Sequence, residues 1–292
     1  MSDMTLLGVS RGSEFSPNMA DNDKAIFCSV ADNLRSAGVD VECMSERDFI
    51  NMESEHGLDY FRKYACIFNM ARHSESVRLL SEIASRLGVP AVNSAVGLEN
   101  CRRDKLSARL KACGIPSPSE QVVVLGNGTV ELPSMDFPYW LKRGDGCAQV
   151  REDVVYVDCV QVAEQAIKGF INRGVTSIVV SEHLRGDLVK FYGVEGTDFF
   201  DWGYASDGHS KFGLEAINGK ACGFSFDVSE LKRISDEAAR VLDVPVYGGD
   251  CVVSEDGTIG LIDFNDWPSF SRCREAASKA IASRILKTCC NG

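Results

Sequence analysis

Two aspartates and an asparagine stand in the stretch Gly248 to Phe270, GGDCVVSEDGTIGLIDFNDWPSF, in an arrangement able to hold a cation. The dipeptide Asp256-Gly257 suits the positive φ angles of a tight hairpin turn, so the apolar runs on either side read as two antiparallel strands. A two-residue turn there places Asp250 opposite Asp263, whereas a three-residue turn would set Asp250 against Ile262. Because side chains alternate along a strand, Asp263 and Asn265 share one face while Ile262 and Phe264 take the other. Carboxylates facing each other across a ladder repel unless a cation lies between them. Oxygen-only ligands of this kind suit Mg2+ or Mn2+. The alternative is an acidic hairpin turned to solvent. Trp267-Pro268-Ser269-Phe270 reads as packing that closes the loop rather than as a substrate contact.

A second group is PYWLKRGDG, Pro138 to Gly146. A lysine within an apolar strand is rarely buried without a partner, and for Lys142 that partner could be a phosphate. Gly144 and Gly146 would then let backbone amides approach it. The competing reading is a surface lysine before a turn. Two further loops follow predicted parallel strands at their carboxyl ends, where α/β sheets tend to bind ligands. The loop SRGSEFSPNMADND offers Arg11, Ser13 and Asn18, although Asn18 or Asp21 can equally serve as a helix N-cap. In Met70-Ala71-Arg72-His73, Arg72 has the fork to grip a carboxylate. His73 reads as a helix-start residue, not a proton-transfer group.

These side chains need a scaffold, and the apolar pattern supplies one. Short apolar runs at Thr5–Val9, Val39–Met44, Tyr64–Asn69 and Pro90–Asn93 alternate with amphipathic helices at Asp23–Ala37 and Glu75–Leu87, which predicts a parallel sheet wrapped by helices. After a helix at Arg103–Cys113, the segment Gly114-Ile115-Pro116-Ser117-Pro118 halts the pattern, since each proline excludes helix for the residue before it. Strands are expected at Val122–Leu125, Tyr139–Lys142 and Ser177–Ser181 around a helix at Cys159–Asn172. Strands at Val189–Val194, Phe199–Trp202 and Gly249–Val253 follow, with helices at Ser229–Leu242 and Cys273–Leu286.

The 292 residues suffice for about two domains, and 25% charged with 45% apolar residues is an ordinary globular composition. A net charge of -11 argues against a nucleic-acid or anionic-membrane partner, which clustered Lys and Arg would be needed to hold. No apolar run approaches the ~20 residues that span a bilayer, and no leader pattern opens the chain. The 12 cysteines mostly sit singly in apolar runs, as Cys28, Cys66 and Cys251 do, where a thiol acts as a small hydrophobe. That usage predicts a reducing, cytoplasmic setting. Cys289-Cys290 lacks CxxC spacing and reads as a helix end.

From Cys101 to the C-terminus the residues, in their order, resemble the ATP-grasp superfamily. RDKLSARLKACGIPSP is similar to that family's lysine before a short helix ending in GIP-P, making Lys105 the match. Lys142 resembles its second lysine, ahead of a glycine-rich phosphate loop. SEHLRGDLVKFYGV is similar to the segment between its lobes; by that match Ser181, Glu182, His183 and Leu184 would hold adenine and Asp187 the ribose. The family's metal pair, an acid on one strand and D/E-x-N on the next, matches Asp250, Asp263 and Asn265. The resemblance implies an α/β fold in which a pre-ATP-grasp domain, 1–99, precedes a small lobe, 100–186, and a C-terminal lobe, 187–292, bearing the metal site. The N-terminal part resembles the domain preceding these lobes in glutathione synthetases, D-alanine ligases and their relatives, including the RimK-like ligases. It further implies ATP and Mg2+ or Mn2+ as cofactors, a small-molecule substrate, and carboxylate-amine ligation through an acyl phosphate. Lys190 resembles a basic residue that reaches the transferred group, and Lys211 stands in GHSKFGLEAINGK where ligases usually carry an arginine. Relatives are often homodimers. KFYGV and IDFNDWPSF are also similar to segments of inositol phosphate kinases, so phosphorylation of a hydroxyl is the alternative, and nucleotide binding without turnover a third reading. Neither GxxxxGK[ST] nor a GxGxxG after the first strand is present.

Overall fold

The structure, a computed structural model, describes residues 4–16, 19–126, 133–146, 148–207 and 217–290. Its first unit is a parallel sheet. Strands β1 (Thr5–Ser10), β2 (Asp40–Ser45), β3 (Tyr64–Asn69) and β4 (Ala91–Val92) lie in the order β2-β1-β3-β4. Helices α1 (Ala20–Ser36), α2 (Glu46–His56) and α3 (Ser74–Leu87) connect them. Along α1 the buried residues Ile26, Phe27, Val30, Ala31 and Leu34 recur at helical spacing and make one apolar face. Helix α2 was not expected: it buries only Phe49 and Glu46, too little for a visible apolar stripe. Its start is set instead by Ser45, whose side chain accepts from Asp48 N.

Two short helices, α4 (Ala95–Asn100) and α5 (Arg103–Ala112), lead into an antiparallel sheet. It comprises β5 (Glu120–Val124), β6 (Tyr139–Arg143), β7 (Val154–Val157) and β8 (Ser177–Glu182), in the order β5-β8-β6-β7, covered by α6 (Val160–Asn172). The second antiparallel sheet holds β9 (Asp187–Val194), β10 (Phe200–Tyr204), β11 (Val246–Val253) and β12 (Ile259–Asp266), ordered β10-β9-β11-β12. Helix α7 (Val228–Leu242) lays Leu231, Ile234, Ala238 and Leu242 against it.

The last helix, α8 (Arg274–Cys290), returns to the first unit. Its Ile281 and Ile285 are fully buried in one core with Val30 and Leu34 of α1 and Phe68 of β3. Each such side chain contributes about 1.5–3 kcal/mol by leaving water. The first sheet and the second antiparallel sheet are also clamped by Asn93, which donates to Val246 O at 2.8 Å and accepts from Val246 N at 2.9 Å. Among the described residues no helix is long and apolar enough to cross a membrane.

The β11–β12 hairpin departs from the expected turn. Only Gly257 is left-handed (φ 82), and its N–H reaches Ser254 O at 2.9 Å while Ser254 N reaches Thr258 O. The loop is therefore one residue longer than a type I′ turn. Val253, Val252 and Cys251 pair with Ile259, Gly260 and Leu261, the register that would put Asp250 against Ile262. A β-bulge at Ile262 then adds one residue to β12, and Asp250 faces Asp263 after all.

Candidate active site

A cavity of about 560 Å³ lies between the two antiparallel sheets and extends to the loop after β3 and the start of α5. One wall carries the hairpin acids. Asp250 faces Lys190 on β9 as well as Asp263 on β12, and the Lys190 ammonium lies 2.9 Å from the Asp250 carboxylate. Asp263 pairs with Arg103 at 3.0 Å and accepts a hydrogen bond from the Asn265 side chain. Burial alone would raise the Asp263 carboxyl, but Arg103, Lys142 and that hydrogen bond together hold it below the usual range. The hairpin brings two carboxylates and one amide, Asp250, Asp263 and Asn265, to this wall, and among the described residues no three carboxylates, histidines or thiols gather at one point.

The facing wall supplies Lys142, which is only 8% exposed. Its ammonium reaches Ile262 O at 3.1 Å and Ser181 Oγ at 3.3 Å, with Glu120 at 3.7 Å. The carbonyl it meets belongs to the bulge residue, so the irregularity that aligns the acids also offers an acceptor to the lysine. Burial pushes the Lys142 pKa down, with Glu120 and Asp263 opposing. Glu182, His183 and Leu184 continue this wall beside Trp140. Trp140 Nε1 donates to His183 Nδ1 at 3.1 Å, which leaves the proton of the neutral ring on Nε2. Burial and Arg185 lower the His183 pKa and favour that neutral form.

Other expected residues lie elsewhere. The Arg11 guanidinium is taken up by Asp23 at 2.9 Å, Trp267 O at 2.9 Å and Met70 O at 3.2 Å, and it does not line the cavity. It ties three loops together instead of facing a substrate. Ser13 is exposed in a short turn outside the lining, where Phe15 is present. The Asp187 carboxylate is 3% exposed and accepts from the backbone amides of Cys222, Gly223 and Phe224 at 2.6–2.8 Å, so its oxygens serve the 222–224 loop rather than a ribose. Lys105 bonds Glu99 at 2.6 Å and is absent from the cavity wall. Gly146 lines the cavity; Gly144 does not, and a Cβ there would come within 2.8 Å of Ser177 Oγ, so close strand packing requires it. Asn18 and Lys211 lie outside the described residues.

Arg72 does reach the cavity, but its guanidinium grips Asp266 through both the carboxylate and the backbone carbonyl. Its loop is set by Glu46, a residue only 3% exposed, which accepts from Arg72 N, His73 N and Gly12 N. His73 caps α3, its ring accepting from Glu75 N. Trp267 is fully buried and stacks on Phe68, as packing rather than contact predicts. Residues the sequence reading passed over are Arg103, Glu120, Trp140 and Asp266. Arg103 had a signal, being two residues from Lys105 on the same predicted helix. Glu120 had none, because its partner is brought by a different strand.

No protein-family model matches the chain, and no curated protein matches it. Among solved structures, it superposes on D-alanine–D-alanine ligase from Bacillus anthracis complexed with ATP, with a TM-score of 0.71 and 12% identity over 99% of this chain and 98% of that one. D-alanine–D-alanine ligase from Coxiella burnetii gives 0.69 and 13% over 99% and 96%. A RimK domain ATP-grasp protein from Sphaerobacter thermophilus gives 0.64 and 15% over 96% and 99%.

Proposed function

We propose that this chain, which has the ATP-grasp fold, is an ATP-dependent ligase that joins a small-molecule carboxylate to an amine. The observation that carries the reading is the meeting of Asp250, Asp263 and Asn265 on one wall with Lys142 on the other, across a cavity large enough for a nucleotide. The all-oxygen donor set fits Mg2+ or Mn2+, and the draw of the two carboxylates on cations is visible in the Lys190 and Arg103 side chains held against them. Such an ion, when bound, neutralises phosphate charge.

Lys142 would bind the nucleotide's phosphates, and the Ser181 to Leu184 segment with Trp140 would receive the base against Leu188 and Val252. At the opposite end, Phe15, Ala71, Val77 and Leu98 make an apolar wall near Arg102 and Arg72 that suits the acceptor. A carboxylate oxygen of the acceptor attacks the γ-phosphorus, ADP departs, and an acyl phosphate forms. The amine then adds to the acyl carbon, phosphate leaves with the C–O bond electrons, the amine loses a proton, and an amide results. Lys190, which lines the cavity beside Asp250, would stabilise the charge on the transferred group.

Thermal unfolding with and without Mg-ATP tests the nucleotide site. A ligand at about 100 times its Kd adds about 2.7 kcal/mol of stability. ADP release is then screened against carboxylate and amine pairs. Release that requires both supports the ligase; release with a polyol alone replaces it with phosphoryl transfer to a hydroxyl. No shift at millimolar Mg-ATP removes the reading altogether.

A further inference from the structure

The first turn of helix α5 presents two basic residues, Arg103 and Lys105, to different surroundings. Successive helical residues turn by about 100°, so positions two apart point roughly 200° from each other and cannot both enter one cavity. Asp104 decides which one does. Its backbone N–H bonds Gly144 O at 3.3 Å and its carboxylate accepts from Ser177 Oγ at 3.4 Å, so the helix start is stitched to the loop after β6 and to the start of β8. Arg103 is thereby aimed at the cavity, where its guanidinium lies 3.0 Å from Asp263, and Lys105 is turned to Glu99, with 43% of its side chain exposed.

We infer that Arg103, not Lys105, is the phosphate-binding residue of α5, and that Asp263 holds it until a divalent cation takes that carboxylate and shifts the guanidinium to the nucleotide's phosphates. The inference rests on the Mg-nucleotide reading above. Asp263 already faces two cations, Arg103 and Lys142. A divalent ion bound to the same oxygens adds repulsion that the guanidinium escapes by moving to the nearest concentrated negative charge, the polyphosphate. An arginine fork matches two phosphate oxygens at once, as an ammonium cannot. One residue thus has opposite effects on two ligands: it competes with the bare metal and assists the metal nucleotide.

The test measures Mn2+ alone by electron paramagnetic resonance titration and Mn-ATP by calorimetry, on the wild-type chain and the Arg103→Ala, Arg103→Gln and Lys105→Ala variants. Circular dichroism establishes that each is folded, and Arg103→Gln retains much of the side-chain length should the alanine variant fail to fold. The expected result is that both Arg103 substitutions tighten bare Mn2+ several-fold and weaken Mn-ATP roughly tenfold or more, with Lys105→Ala changing either by less than about twofold. Weakening of both ligands by the Arg103 variants would show a merely structural residue and overturn the inference. So would unchanged Mn-ATP affinity in those variants, or loss of it in Lys105→Ala. A wild-type chain that binds Mn2+ but no Mn-ATP overturns the nucleotide reading and, with it, the transfer to phosphate; tightening of bare Mn2+ in the Arg103 variants would still reveal the competition at Asp263.

Discussion

Arg11 and Arg103 are both largely shielded arginines paired with an aspartate, yet they belong to regions built on opposite principles. At the ends of β1 and β3, charged groups are consumed by the scaffold: Arg11 joins Asp23 to two backbone carbonyls, and Glu46 gathers three backbone amides. Around the β11–β12 hairpin the pairs are side chain to side chain at the cavity surface, Arg103 with Asp263 and Lys190 with Asp250. The bonds that Arg11 and Glu46 make to backbone fix their loops. An ion pair at a cavity wall can exchange one partner for a ligand at modest cost. The kind of partner therefore separates Arg11 and Glu46 from Arg103 and Lys190, whereas Lys142 combines a bond to the Ile262 carbonyl with a place in the cavity lining.

The largest effect expected from this distinction is on turnover. Asp263→Ala should lower ADP release by about 10³-fold, the scale of losing one preorganised electrostatic group. Far-ultraviolet circular dichroism should meanwhile remain that of the folded chain. Arg11→Ala should do the reverse. It leaves Asp23 buried without its cation, a loss of about 3–5 kcal/mol in urea unfolding, while ADP release per folded molecule is retained. If Arg11→Ala instead stayed stable and lost activity, the two regions would not differ as described.

A smaller, mixed effect belongs to Lys142→Met. It removes a buried ammonium that is costly to desolvate but leaves Glu120 and Ile262 O without their cation, so stability should fall by about 1–3 kcal/mol, and the thermal shift with Mg-ATP should be largely abolished. The smallest concerns Asp145, which holds the loop of Gly144 and Gly146 by accepting from Arg143 at 2.6 Å and Thr176 N at 2.8 Å. Burial opposes ionisation there, but the Thr176 amide and Arg143 prevail and leave its pKa below the ordinary value. A carboxyl depressed in the folded state stabilises above the unfolded value of about 4 and loses that contribution as pH falls through the lower folded one. Asp145→Asn should therefore cost about 1 kcal/mol at pH 7, and the gap to wild type in urea unfolding should close below pH 4.

The hairpin shows how far pattern reading reaches. Alternation placed Asp263 and Asn265 on one face, and Asp250 does face Asp263, but through a longer turn and a bulge whose two offsets cancel. Helix α2 escaped notice because one buried phenylalanine makes no stripe, and β7 because four residues carry too short a pattern. The reading of Asp187 as a ribose ligand failed on contacts supplied by residues 35–37 positions away.

What the sequence by itself determined is the strongly periodic part: most of the strands and helices in their order, though not α2, α4 or β7, the parallel first unit and, with the Asp256-Gly257 turn signal, the pairing of the acidic strands. Only the tertiary structure decided which charges face the cavity. Lys142 meets Ile262 O and Glu120, Arg103 meets Asp263, and Arg11 is drawn to Trp267 O across 256 residues of chain. The physical reason is that a backbone's local preferences act over a few residues, whereas a buried charge takes whichever partner the packing of distant elements brings within about 3 Å.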